Sequence, residues 1–63
     1  MIRFVTNNNT MYIINLATKT VLGGRYKKPR KFESYSGVKQ GYSCCFRLQD
    51  GGEFKTGVVR YIG

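Results

Sequence analysis

Apolar and polar positions alternate with a period of two in several short runs, and no stretch sustains a helical period. Residues 2–6 form the first predicted strand, with Ile2 and Phe4 on one face. Asn7-Asn8-Asn9 ends it, because asparagine tolerates the left-handed conformations that turns require. Residues 10–16 are the second strand, with Tyr12, Ile14 and Leu16 on one face and Met11, Ile13 and Asn15 on the other. Apolar groups on both faces fit a central strand. Residues 17–19 make a tight connection into a third strand over 20–22, which Gly23-Gly24 closes. The first 24 residues are thus predicted to be a three-stranded meander.

Residues 42–49 and 53–62 flank Asp50-Gly51-Gly52, the strongest hairpin signal in the chain. A two-residue loop of Asp50-Gly51 sets Phe46 against Lys55 and Arg47 against Phe54. A three-residue loop of Asp50-Gly51-Gly52 sets Leu48 against Phe54, Phe46 against Thr56 and Cys44 against Val58. Cross-strand partners share a face, so the second register gathers the apolar groups and is the one predicted, with Gly52 left-handed in a bulge. It leaves Arg47 opposite Lys55 on the other face, in line with Ser43, Cys45 and Gln49. Opposed like charges are unfavourable and call for an anionic partner or strong solvation. Gly57 interrupts the last strand and marks a bulge that turns Val59 and Tyr61 inward. The predicted core is Phe4, Ile14, Phe46, Leu48, Phe54 and Val58.

Residues 25–41 join these halves. Pro29 breaks any helix through the middle and Gly37 and Gly41 loosen the end, so the segment is read as a basic loop, with at most a short helix over 30–35. Many short strands and no sustained helix predict an all-β fold, a single small domain over residues 1–63. Its form is an antiparallel sheet or a five-stranded barrel, SH3-like or OB-like by analogy alone. Closing the sheet removes exposed edges, which a small chain tolerates poorly.

Composition narrows function mainly by exclusion. There is no histidine, and the carboxylates are Glu33, Asp50 and Glu53 alone. Asp50 and Glu53 flank a glycine turn and read as turn formers and solvated charges. Without an imidazole, and with only Cys44 and Cys45 as thiol ligands, the chain is expected to be no enzyme and to hold no metal and no cofactor. Adjacent cysteines on a strand point to opposite faces, so Cys44 is read as a small buried hydrophobe and Cys45 as a partly exposed thiol. Two cysteines are not the disulfide framework of a small secreted domain. No apolar run approaches the roughly 20 residues of a membrane span, and the N-terminus lacks a basic and then apolar leader. The expected location is the cytoplasm.

Lys and Arg number 11 against 3 Asp plus Glu, a net charge of +8. The cations concentrate in Arg25, Lys27, Lys28, Arg30 and Lys31, with Tyr26 inside the run and Phe32 and Tyr35 after it. Cations neutralise phosphates, flat rings stack on unpaired bases, and Gly23-Gly24 allow a backbone to approach a ligand closely. Arg25, Tyr26, Lys27, Lys28, Arg30, Lys31 and Tyr35, with Arg47 and Lys55 of the hairpin, are therefore the candidate residues for binding DNA or RNA. The plain structural alternative for Phe32 and Tyr35 is that they plug the barrel. The rival function is a phage-type modulator that binds and inhibits an acidic surface of a host protein, inside an infected cell. Monomer and homodimer both fit the pattern.

Overall fold

The computed structural model describes residues 1–24 and 26–63, and of Tyr26 the backbone alone. Its strands are β1 (Ile2–Thr6), β2 (Met11–Asn15), β3 (Thr20–Gly23), β4 (Tyr26–Tyr35), β5 (Ser43–Leu48) and β6 (Glu53–Ile62). Each pairs antiparallel with the next and β6 returns to β1, so the sheet closes into a barrel with no helix among the described residues. The meander expected over the first 24 residues is β1–β2–β3. Asn9 (φ 61°) and Lys19 (φ 53°) supply left-handed turn positions without glycine. Asn15 Oδ1 ties down the second turn by accepting from the amides of Ala17 (3.0 Å) and Thr18 (3.3 Å).

The barrel has six strands rather than five because the basic segment is not a loop. Residues 26–35 form β4, whose first part pairs with β3 and whose last residues, from Phe32, pair with β5. A loop or short helix there would leave β3 and β5 with open edges, whereas a strand satisfies both ladders. Pro29 is accommodated at an irregularity. Arg30 pairs with Val21 and Tyr26 with Gly23, so residues 27–29 face Leu22 alone, where proline's missing N–H costs little. A second register shift, at Glu33, bends the strand from one neighbour to the other.

The hairpin turns one residue earlier than predicted. The Leu48 amide donates to Gly52 O (2.7 Å) and the Gly51 amide to Leu48 O (3.1 Å), so the loop is Gln49-Asp50-Gly51. Gly51, not Gly52, takes the left-handed position (φ 92°). Asp50 Oδ1 accepts from the Gly52 amide at 2.9 Å, a side-chain turn bond that favours this arrangement. Phe46 then faces Phe54, Arg47 faces Glu53 and Cys45 faces Lys55. The register differs by two residues, an even number, so the faces stay as predicted while the partners change. The expected opposition of Arg47 to Lys55 is thereby replaced by an Arg47–Glu53 ion pair of 3.5 Å.

Further along, Ser43 pairs with Val58, so three steps of β6 match two of β5. The extra residue reverses the alternation. Val59 is buried at 1% exposure and Val58, predicted to be core, stands 37% exposed. The bulge predicted at Gly57 is therefore present and turns Val59 inward. Tyr61, expected inward with it, is instead outside and pairs with Val5. At this bulge the Cys44 amide bonds to the buried hydroxyl of Thr56 (3.0 Å) in place of a ladder carbonyl, and that hydroxyl donates to Gly57 O (2.8 Å).

The core comprises Phe4, Ile14, Val21, Phe32, Cys44, Phe46, Leu48 and Val59. Phe54 packs against it half-buried, together with Ile2, Tyr12, Tyr35 and Val38. Ring stacking crosses three strands: Tyr35 lies 5.8 Å from Phe46, and Phe46 lies 5.0 Å from Phe54, each pair at 12° between planes.

Candidate nucleic-acid interface

Strands β4, β5 and β6 form one wall, and their register decides which polar groups meet on its outside. Ser34, Arg47 and Glu53 make one outward row, and Cys45 and Lys55 make the next. Ser36 joins the second row: its amide donates to Cys45 O (2.9 Å), and its Oγ accepts from the Cys45 amide (3.0 Å). Small side chains at Ser34, Ser36 and Cys45 leave the middle of the wall low, between longer Arg47, Glu53 and Lys55. The result is a surface groove of about 530 Å³, also lined by Tyr35, Phe46 and Phe54.

The basic part of β4 lies earlier along the same strand, where it pairs with β3. Lys27, Lys28 and Lys31 are exposed, as is Lys55 at the groove, and none of these has an ion-pair partner among the described residues. Arg30 differs. Its Nη2 lies 2.8 Å from Asp50 Oδ2, tying β4 to the tip of the hairpin. Arg47 likewise holds Glu53, so each predicted hairpin-side arginine contact competes with a carboxylate already in place. Arg25, and the ring of Tyr26, lie outside the described residues.

Of the predicted aromatic partners, the described rings Phe32 and Tyr35 pack into or against the core. Tyr35 lines the groove, but one face of its ring stacks on Phe46 and the ring meets Phe32 edge-on at 5.3 Å, 64°. Phe32 itself is buried. Phe32 plugs the barrel, and the half-buried Tyr35 packs one face of its ring against the core. Among the described residues the exposed rings are Tyr42 and Tyr61, each beside a cation: Lys39 Nζ lies 5.1 Å from the Tyr42 ring and the Arg60 guanidinium 5.3 Å from that of Tyr61. Their sequence signal is a tyrosine within three residues of a cation but outside the main basic run.

Gly23 also has a different purpose from the one expected. A Cβ there would lie 2.3 Å from Met11 O, and its φ is 143°, so the residue lets β3 approach β2 rather than a ligand. Burial pushes the Cys44 thiol up to about 11, while Cys45 stands exposed on the groove floor. Among the described residues no three His, Cys, Asp or Glu side chains gather, and no helix is long and apolar enough to cross a membrane. No protein-family model, curated protein or solved structure matches the chain.

Proposed function

We propose that the protein is a small, non-enzymatic nucleic-acid-binding module that uses the β4–β5–β6 wall. The observation that carries this reading is the set of exposed lysines, Lys27, Lys28 and Lys31 on β4 and Lys55 on β6, the two strands that flank β5, none of which has a carboxylate partner among the described residues. Exposed cations without internal partners are free to replace the counterions of a phosphate backbone. Because Phe32 lies in the core and Tyr35 stacks one face on Phe46, the reading rests on the lysines and so on contacts to phosphate and sugar, which carry little sequence preference.

The test is a titration of labelled single- and double-stranded DNA and RNA at several salt concentrations. About four phosphate contacts give a slope of log affinity against log salt of roughly −3 to −4. Joint replacement of Lys27, Lys28 and Lys31 by Ala should reduce it to about −1 and leave thermal melting nearly unchanged, since exposed charges add little stability. Absence of binding to every nucleic acid at low salt overturns the proposal.

A further inference from the structure

The opposite wall of the barrel has an outer face that ought to be polar and is not. Register places Tyr61, Val5 and Met11 side by side across β6, β1 and β2. The adjoining row across β1, β2 and β3 is Arg3, Ile13 and Leu22. All six point away from the core, because their neighbours Phe4, Ile14 and Val21 fill it and side chains alternate along a strand. Tyr61 is 60% and Met11 50% exposed. The apolar groups on both faces of β2 thus have two explanations, an inner face that the barrel covers and an outer face on which Met11 is exposed and Ile13 half-buried. Val5, Ile13 and Leu22 are half-buried between and beside Tyr61 and Met11, and an outward apolar cluster of this kind marks an interaction site.

The face also has shape and charge. A cleft of about 150 Å³ opens between Arg3, Phe4, Val5, Met11, Tyr61, Ile62 and Gly63, room for one apolar side chain. Arg3 lies within the face and Arg60 sits against Tyr61. No Asp or Glu occurs before Glu33, so β1, β2 and β3 carry no carboxylate at all. A second copy would bring cation against cation, in a chain of net charge +8. A phosphate backbone would find mainly aliphatic groups. We infer that this face docks a protein partner through an apolar side chain set among carboxylates, with the side chain in the cleft and the acids at Arg3 and Arg60. This site shares none of the lysines of the β4–β5–β6 wall, so it stands or falls independently of nucleic-acid binding.

The experiment uses the whole chain, labelled with nitrogen-15, and three blocked short peptides. One alternates Glu and Asp around a central Phe, the second has Ser in place of that Phe, and the third has Lys in place of the acids. The expected result is that the first peptide shifts the amide signals of Arg3, Val5, Met11, Tyr61 and Gly63. Binding should weaken about tenfold with the Ser peptide and in Met11→Glu or Tyr61→Ala, vanish with the Lys peptide, and survive joint Lys27, Lys28 and Lys31→Ala replacement. Several results would overturn it. These are no shift at millimolar peptide, equal shifts with the Phe and Ser peptides, or shifts centred on the β4 lysines. So would a dimer in sedimentation that Met11→Glu dissolves, or binding to phosphatidylglycerol vesicles that Met11→Glu abolishes, since each assigns the face to another occupant.

Discussion

Cys44 and Cys45 are adjacent in sequence yet differ completely in exposure, because successive side chains of a strand point to opposite sides. A thiol reagent should therefore modify Cys45 alone in the native protein and both thiols in denaturant; two equivalents in the native state would contradict the placement. The Cys44 thiol also makes stability depend on alkaline pH. Its value rises from 9.0 to about 11, chiefly through burial. Below about pH 9 both states keep the proton and this group contributes no slope. Between about 9 and 11 the unfolded chain loses the proton and the folded one holds it, so stability falls by roughly 2–3 kcal/mol. Urea midpoints across that range should show the decline, and Cys44→Ala should remove this part of it. The central ring is the other decisive residue. Phe46 is 2% exposed and touches Phe32, Tyr35 and Phe54, so Phe46→Ala should cost about 3–5 kcal/mol, enough to unfold a domain of this size. A cooperative melt near the parent temperature would refute that packing.

At the scale of elements, the hairpin offers a direct check on register. Gly51 is left-handed and Gly52 is not, so Gly51→Ala should destabilise by about 1–2 kcal/mol. Gly52→Ala should cost less, since an added Cβ meets side-chain atoms alone, the Asp50 oxygen at 3.1 Å, which can move, and Leu48 Cδ1 at an ordinary 3.7 Å. The reverse order would restore the register in which the loop is Asp50-Gly51-Gly52. The same turn is linked to β4 by Arg30 and Asp50, whose side chains are 40% and 59% exposed. An exposed pair of this kind contributes at most about 1 kcal/mol, so it orients the hairpin tip more than it stabilises the barrel. β4 and β6 are the longest elements, and each divides its length between two neighbours, which is how a sheet of short strands closes.

For the whole molecule, a net charge of +8 on 63 residues means that folding gathers like charges together. Stability should consequently rise as salt increases from about 10 mM to about 300 mM, where the screening length shrinks from roughly 30 Å to below 8 Å. Urea midpoints at the two salt concentrations test this, and a fall would mean that surface ion pairs such as Arg30–Asp50 and Arg47–Glu53 outweigh the repulsion. Binding to a polyanion should show the opposite salt dependence, because there the charge works between molecules.

What the amino-acid sequence determined by itself was whatever depends on neighbours in the chain. Alternation, turn residues and the Gly57 bulge revealed the meander, β5 and β6, the inward faces of Phe4, Ile14, Phe46 and Leu48, and the opposed fates of the two cysteines. Tertiary structure decided the rest. β4 was illegible because a run of cations around a proline has no strand pattern of its own and becomes a strand only when β3 and β5 present edges to it. The hairpin register turned on which glycine went left-handed, a choice settled by an Asp50 side-chain bond and by ring stacking between strands. Tyr35 looked available to a base until Phe46 was set beneath it, and Arg47 looked unpaired until Glu53 was set across from it. Likewise the apolar outer side of β2 read as burial on both faces. Only a closed barrel, which has one inside, shows that the second face points outward.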